Sequence, residues 1–267
     1  MPEFKDRFGP WAIVTGASEG IGREFARQIA AEGIDLILVA RRKNLLEDLG
    51  RDLSNEHGVE CIAVPADLSS PGFLDTIRAA TEGREIGLLV NNAGIGSLGE
   101  FLEADLEELR GILAVNTTAP TVLSHSYGRE MARRGRGGIL MVSLMVAFMS
   151  APHMWNYPAT KAYILLLGEA LNYELGGHGV AVSTILPGFT SPGFTDQLDV
   201  SRIPMPIAKS PKVVQIALRG LGRRSVILPG FMNKMMYRMS GMMPRRLNVA
   251  MMGMINKRIR WKHEPSA

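Results

Sequence analysis

The chain has 267 residues and a single cysteine, Cys61, which excludes a disulfide framework or a cluster of thiolate metal ligands. Hydrophobic residues make up 46% of the chain and charged residues 21%, a composition typical of a folded protein rather than a disordered one. The net charge of +4 is the sum of an acidic and a basic part of the chain. Residues 1–199 carry 16 Lys or Arg and 25 Asp or Glu, whereas residues 200–267 carry 14 Lys or Arg and one Glu.

Short apolar runs alternate with amphipathic segments along most of the chain. The runs predict strands at 11–15, 36–40, 60–64, 87–90, 138–142, 180–186 and 225–228. The segments between them predict helices at 21–31, 45–56, 73–82, 106–134 (as one helix or two) and 160–175. Because continuous apolar runs are buried on both faces, we predict an α/β fold, a doubly wound parallel sheet of about seven strands with helices on both faces.

The pattern loosens after Pro187. Five prolines between 187 and 211 indicate loops, and we predict a substrate lid at 188–210 followed by a helix at 210–221. Apolar residues at helical spacing over 231–260 predict two further helices, broken near Gly241 and Pro244.

Residues 1–230 are therefore predicted to form one catalytic, dinucleotide-binding domain, and residues 231–267 a basic, Met-rich helical C-terminal extension. The most apolar stretch, 138–152, is too short to span a bilayer, so we expect a soluble protein of the cytoplasm.

A glycine-rich segment follows the first strand directly. It reads TGASEGIG over residues 15–22 and opens the first long helix. In such a turn the backbone N–H groups and the helix N-terminus face a pyrophosphate. The residues assigned to this role are Gly16, Ser18, Gly20, Ile21 and Gly22.

The end of the second strand indicates which dinucleotide is bound. A site that prefers NAD places a carboxylate there, whereas this chain has Arg41, Arg42 and Lys43. A guanidinium group suits a 2′-phosphate, so we predict NADP(H), with Arg41 and Arg42 in the site. The alternative is a solvated basic turn.

Tyr157 and Lys161 lie four residues apart, on one face of a predicted helix. A tyrosine that exchanges protons near neutral pH needs a depressed pKa, which a neighbouring ammonium group provides. Taken alone, the pair is more typical of a core tyrosine beside a surface lysine.

Six motifs follow one another between residues 10 and 230. They are the segment 15–22, the run Asn91-Asn92-Ala93-Gly94, Asn116, Ser143, the pair Tyr157 and Lys161, and Pro187-Gly188. Together they resemble the compact type of the short-chain dehydrogenase/reductase family, and within it the ketoacyl-CoA reductase and 17β-hydroxysteroid dehydrogenase subgroup. The resemblance implies a Rossmann-type fold.

The same resemblance implies a role for each matching residue. Tyr157 would be the general acid in ketone reduction, Lys161 would hold the nicotinamide ribose, Ser143 would bond the substrate oxygen, and Asn116 would hold a water that resupplies the proton. The remaining positions would line the cofactor: Asp67 and Leu68 at the adenine, Asn91, Ala93 and Gly94 at the adenosine ribose, and Pro187, Gly188 and Thr190 at the nicotinamide carboxamide.

Two departures from the family pattern affect these roles. Glu19 stands where several NADP-preferring relatives have a basic residue, so Arg41 would recognise the 2′-phosphate largely unaided. Ser143 is followed by Leu144 and an apolar run to residue 155, which is either a buried connector or an apolar substrate wall.

We therefore predict an NADP(H)-dependent oxidoreductase that interconverts a ketone and a secondary alcohol on an apolar, 3-ketoacyl or steroid-like substrate. The alternative is a non-catalytic NADP-binding redox sensor. Neither a metal site nor nucleic acid binding is expected, since the histidines are scattered and the basic tail has few aromatic residues.

Contacts with other subunits and with a lipid surface are expected as well. The family resemblance implies a homodimer or homotetramer that pairs through the helices at 106–134 and 160–175. The basic, Met-rich extension is typical of an element that docks peripherally on anionic lipid, or of one that only caps the lid or a subunit interface.

Overall fold

A sheet of seven parallel strands forms the centre of the molecule. The computed structural model describes residues 4–191, 198–199, 207–240, 243–257 and 260–261. The strands are β1 (Trp11–Thr15), β2 (Asp35–Ala40), β3 (Cys61–Pro65), β4 (Ile86–Asn91), β5 (Gly137–Val142), β6 (Val180–Ile185) and β7 (Val226–Ile227). Their spatial order is β7-β6-β5-β4-β1-β2-β3, and every pairing in this sheet is parallel. This confirms the predicted Rossmann-type fold, with the strand order reversing between β1 and β4.

Helices cover both faces of the sheet. They are α1 (Phe4–Phe8), α2 (Gly20–Ala31), α3 (Lys43–His57), α4 (Phe73–Thr81), α5 (Leu106–Leu113), α6 (Ala119–Arg134), α7 (Tyr157–Gly176), α8 (Ser210–Gly220), α9 (Phe231–Ser240) and α10 (Arg245–Asn256). A π-helical turn, Ala114–Thr118, joins α5 to α6, so the predicted segment 106–134 is two helices.

Each face of the sheet packs against its own set of helices, because successive side chains of a strand point to opposite faces. Ala12 and Val14 of β1 belong to the core cluster that includes Phe25 of α2 and Val214 of α8. Ile13 belongs to the second cluster, with residues of α4, α6 and α7. Burial of both faces explains why the strands are continuously apolar in sequence.

The C-terminal part differs from the prediction in one respect. The last helix ends at Asn256, and Arg260–Trp261 forms a short strand antiparallel to Leu198–Asp199. The prediction of helix up to residue 260 is therefore wrong, since apolar spacing over so few residues does not distinguish a helical turn from a short strand.

Of the predicted lid at 188–210, the structure shows that Thr190–Ser191 pairs in parallel with Ala208–Lys209. Residues 192–197 and 200–206 of the lid, and the predicted helix break at Gly241, lie outside the described residues.

Candidate active site

The glycine-rich turn between β1 and α2 leaves no room for a side chain at Gly16 or Gly22. A Cβ atom at Gly22 would collide with the carbonyl oxygen of Gly16, and one at Gly16, whose φ is +67°, would lie 2.8 Å from the Asn92 side-chain nitrogen. α2 begins at Gly20 without a side-chain cap. Its first N–H groups and the helix dipole therefore suit an anion at the carboxyl edge of the sheet, and the turn fits the pyrophosphate of a dinucleotide.

Asn92 attaches this turn to the neighbouring strand, a role that the sequence analysis missed. Its Nδ2 donates to the carbonyl oxygens of Thr15 at 2.9 Å and Gly16 at 3.3 Å. The backbone N–H groups of Asn92 and Ala93 in turn donate to the Thr15 hydroxyl at 3.0 Å each. The run of two asparagines was visible in the sequence, but a bond across 77 positions was not.

Asn91 and Gly94, on either side of these residues, have different environments. The Asn91 side chain is buried and its Nδ2 donates to the Ser124 hydroxyl at 2.9 Å, so this side chain points toward α6. A Cβ atom at Gly94 would lie 3.1 Å from Nζ of Lys161. The structure thus brings Gly94, rather than the Asn91 side chain, next to the predicted catalytic lysine.

Asp67 and Leu68 follow the end of β3. The Asp67 carboxylate accepts hydrogen bonds from the Ser69 hydroxyl at 2.7 Å and the Ser69 N–H at 2.9 Å. These bonds lower the pKa of Asp67, and the nearby charge of Arg41 acts in the same direction. Leu68 is buried.

The two arginines after β2 are not equivalent. The Arg42 guanidinium lies 2.8 Å from a carboxylate oxygen of Glu19 and donates to the Ser18 hydroxyl at 3.0 Å. Arg41 makes no ion pair within 4.0 Å among the described residues. The charge of Arg42 is therefore partly neutralised by Glu19, and Arg41 is the cation available to a phosphate.

Tyr157 is the first residue of α7, and a chain of hydrogen bonds fixes this helix start. The Thr160 hydroxyl donates to the Tyr157 carbonyl at 2.7 Å and accepts from Nδ2 of Asn116 at 3.0 Å. The Asn116 amide also bonds the backbone of Ile95 through both of its atoms. Asn116 lies in the π-helical turn, which directs its side chain toward α7.

Lys161 lies one turn further along α7 and is also buried. Its Nζ donates to the Val142 carbonyl at 3.2 Å and lies 5.7 Å from the centroid of the Tyr157 ring. Tyr157 and Lys161 are 6% and 5% exposed, so both parts of the predicted pair face the interior of one site.

Burial shifts the proton equilibria of this pair in opposite directions. Burial raises the pKa of Tyr157, because the phenol is removed from water and its neutral form is favoured. The sequence predicts a depressed pKa instead. For the same reason burial lowers the pKa of Lys161 to about 8.

Ser143 does not point toward the phenol side of the site. Its hydroxyl donates to the backbone carbonyl of Lys161 at 2.6 Å, and the side chain is 1% exposed. The next residue, Leu144, packs against the buried cluster formed by Ala151, Met154 and Tyr157.

The two C-terminal helices cover this apolar segment. Met236 of α9 packs on the cluster that contains Met145, and Met252 of α10 packs on the cluster that contains Tyr157. The Asn256 side chain donates to the Pro152 carbonyl at 2.8 Å. These contacts pack the extension against the apolar run.

The predicted nicotinamide residues lie at the foot of α9. The Pro187 carbonyl accepts from the Met145 N–H at 3.0 Å, and the Thr190 hydroxyl donates to the Gly188 carbonyl at 3.0 Å. A Cβ atom at Gly188 would lie 2.9 Å from the Asn233 side-chain oxygen, so a larger residue there would displace the Asn233 side chain. No cluster of His, Cys, Asp or Glu among the described residues is suited to a metal ion.

Comparison with known proteins identifies the family. The family model described as short chain dehydrogenase matches residues 10–202. The chain belongs to the short-chain dehydrogenase family. As a member of it, this short-chain dehydrogenase is an oxidoreductase that acts on CH–OH donors and binds NAD or NADP.

Similar proteins are known in sequence. This short-chain dehydrogenase is 34% identical over 235 residues to a 7beta-hydroxysteroid dehydrogenase of Collinsella aerofaciens, a match that covers 86% of this chain and 89% of the relative. It is 32% identical over 252 residues to a very-long-chain 3-oxoacyl-CoA reductase-like protein of Arabidopsis thaliana, covering 92% and 81%.

Similar proteins are also known in structure. A structure from work on 7beta-hydroxysteroid dehydrogenase stereoselectivity superposes with a TM-score of 0.86 at 29% identity, covering 94% of this chain and 99% of the other. A short-chain dehydrogenase from Sphingobium yanoikuyae in complex with NADPH superposes with a TM-score of 0.77 at 34% identity, covering 88% and 95%.

Proposed function

We propose that this protein is an NADP(H)-dependent oxidoreductase that interconverts a ketone and a secondary alcohol on an apolar, steroid-like or 3-ketoacyl substrate. The observation that carries the proposal is the buried pair of Tyr157 and Lys161, which lies beside an apolar wall and close to Gly94. The hydroxysteroid and 3-oxoacyl-CoA relatives support the substrate class, and the NADPH-bound neighbour supports the cofactor.

In ketone reduction the Tyr157 hydroxyl gives its proton to the substrate oxygen, and in alcohol oxidation Tyr157 takes that proton back. Lys161 holds the cofactor ribose and supplies positive charge beside the phenol. Asn116 holds the proton-supply water and, through Thr160, the start of α7. Hydride transfer is the chemistry that the bound nicotinamide supplies.

In this proposal the residues at the carboxyl edge of the sheet would hold the cofactor. Residues 1–230 form the domain that binds it, and the extension at 231–267 completes the substrate site. Apart from Arg42, which is paired with Glu19, the individual contacts are those expected from the sequence: Gly16, Ser18, Gly20, Ile21 and Gly22 at the pyrophosphate, Arg41 at the 2′-phosphate, Asp67 and Leu68 at the adenine, Asn91, Ala93 and Gly94 at the ribose, and Pro187, Gly188 and Thr190 at the carboxamide.

A panel of ketones tests the proposed activity. We expect NADPH absorbance to fall with a 7-ketosteroid and with a long-chain 3-ketoacyl-CoA, and far more slowly with a small aldehyde that does not fill the apolar wall. Absence of turnover with every ketone, in a protein that binds NADPH, would favour the redox-sensor alternative.

The contrast between the two arginines gives a prediction about cofactor choice. Replacing Arg41 with alanine should weaken NADPH binding by about tenfold or more and leave NADH binding nearly unchanged, because one charge-assisted hydrogen bond contributes about 1.5–3 kcal/mol. Replacing Glu19 with glutamine should tighten NADPH binding several-fold, since it frees Arg42 from its ion pair. Fluorescence titration with both cofactors measures this, and equal losses for NADPH and NADH in Arg41→Ala would contradict the assignment.

A homodimer or homotetramer is part of the proposal. Along α7, Leu166 is 66% and Tyr173 88% exposed, and Leu106 and Leu113 of α5 are exposed as well. Large apolar side chains that recur on neighbouring helices are typical of a contact between subunits.

The extension presents a basic and apolar surface to the outside. Phe231 and Met239 of α9 and Met254 of α10 are exposed, and residues 231–260 contain no Asp or Glu. A cavity of about 220 Å³ lies between α9 and the segment around β7 and is lined by Arg224, Val226, Leu228, Lys234, Tyr237 and Arg238. The three basic side chains of the cavity suit an anionic lipid headgroup. We therefore propose a cytoplasmic protein that docks peripherally on the membrane through this surface. No helix of the described residues has the length and apolarity needed to cross a bilayer.

The charge of this cavity can be reversed to test docking. The double variant Lys234→Glu, Arg238→Glu should bind anionic phosphatidylglycerol vesicles about thirtyfold more weakly than the wild type in cosedimentation, because each of the two cations near the surface contributes about 1 kcal/mol. The matched control makes the same reversals at Lys43 and Arg51 of α3, outside the extension. Equal binding of wild type and double variant at low salt would contradict the membrane contact.

A further inference from the structure

The backbone after β5 determines which way the side chains of residues 143–145 point. The sheet pairing continues past Val142, since the Ser143 N–H donates to the Ile185 carbonyl and the Met145 N–H to the Pro187 carbonyl, each at 3.0 Å. Leu144 between them is fully extended, with φ −159° and ψ 159°. In an extended chain successive side chains alternate, so Ser143 and Met145 share one side and Leu144 takes the other.

The side-chain contacts agree with this alternation. Ser143 donates to the backbone of Lys161, and Met145 packs with Leu165, so both face the body of α7 at positions one turn apart. Leu144 is half-buried and packs against the cluster that contains Tyr157. The Ser143 hydroxyl therefore faces α7 and not the substrate oxygen expected from the sequence, and the aliphatic side chain of Leu144 lies on the side of Tyr157.

We infer that Ser143 is a positioning residue, which holds Lys161 through its backbone carbonyl, and that Leu144 occupies the substrate-facing position beside Tyr157. A serine hydroxyl has one proton to donate, and that of Ser143 is given to a carbonyl in a place closed to substrate. The inference rests on the proposed function and replaces the substrate contact expected of Ser143. As the substrate oxygen gains negative charge, it accepts a hydrogen bond from Tyr157 and none from residue 143.

Substitution of Ser143 separates positioning from substrate contact. We expect Ser143→Ala to raise the Kd for NADPH about fivefold and to lower kcat by less than about tenfold. The pH limb, which is the part of the profile of kcat against pH that reports the titration of Lys161, should shift as well. Ser143→Thr retains the hydroxyl and should restore the pH limb, while circular dichroism confirms that both variants fold. A fall in kcat of about a hundredfold or more, with Kd for NADPH and pH profile unchanged, would show a substrate contact and overturn the inference.

Substitution of Leu144 tests the other half. Leu144→Ser places a hydroxyl on the phenol side, and Leu144→Ala removes the same bulk without a donor. With a 7-ketosteroid and NADPH we expect kcat of the serine variant to exceed that of the alanine variant by about tenfold or more. Equal kcat values would overturn the placement of Leu144.

The failure of the proposed function has a separate signature. If neither the wild type nor Leu144→Ser reduces any ketone, the oxidoreductase assignment fails, and the NADPH Kd of Ser143→Ala, measured by fluorescence, still decides whether Ser143 positions Lys161. An unchanged Kd in that variant would overturn the positioning role.

Discussion

Replacing Tyr157 with phenylalanine is expected to lower the kcat for steroid ketone reduction by about a hundredfold or more and to leave NADPH affinity unchanged. The phenylalanine ring fills the same buried place among Ala151, Met154 and Leu144, so the site keeps its shape. Only the proton donor is lost. Stopped-flow absorbance gives kcat, and fluorescence titration gives the Kd for NADPH.

Tyr173 offers the matched control for this experiment. It lies on the same helix and is 88% exposed in the single protomer, so Tyr173→Phe removes an identical hydroxyl outside the site and keeps the ring for the proposed subunit contact. Turnover in Tyr173→Phe should stay at the wild-type value. If Tyr157→Phe also stays within a few-fold of wild type, Tyr157 is structural, and the non-catalytic NADP-binding sensor becomes the better description.

Lys161→Met should damage catalysis and cofactor binding together. Methionine has a similar length and suits the buried position, but it lacks the charge and the hydrogen bond to the Val142 carbonyl. We expect kcat to fall by about a hundredfold or more, and the Kd for NADPH to rise by about tenfold. The joint loss distinguishes Lys161 from Tyr157, whose substitution spares affinity. Loss of kcat with full NADPH affinity would contradict the ribose contact.

The same variant tests the proton equilibrium of the buried lysine. Burial lowers the pKa of Lys161 from 10.5 to about 8, so between these values the unfolded chain keeps a proton that the folded chain has released. Stability then rises with pH across that window, and the cost of burying the charge is full below pH 8. The Tm of the wild-type apoprotein, relative to Lys161→Met, should therefore increase from pH 8 to pH 10. A constant difference in Tm across this range would contradict the lowered pKa.

Local sequence patterns were sufficient for the architecture and for part of the site. The apolar runs predicted all seven sheet strands to within one or two residues, because a strand covered on both faces must be apolar along its length. The glycines after β1 and the spacing of Tyr157 and Lys161 act within one turn of chain, so their geometry follows from neighbours in sequence. The end of helix α10 is the exception, because the residues after Asn256 are too few to show a helical or a strand period.

Pairings between distant residues were decided by the tertiary structure. Glu19 neutralises Arg42 across 23 positions, and Asn92 reaches the turn of Thr15 and Gly16 from the next strand. The packing of α9 and α10 on the apolar run after Ser143 likewise depends on where the chain returns after β7.

The sequence alone determined that a hydroxyl and an aliphatic side chain stand together at the end of β5, and which residues form the tyrosine–lysine pair. Only the fold decided that Ser143 turns to α7 and Leu144 to the phenol. The direction of a side chain on a strand depends on register, which is set by the backbone hydrogen bonds that the strand makes with its neighbour. A shift of one residue exchanges the two faces, and no local pattern reports that register when both faces are buried.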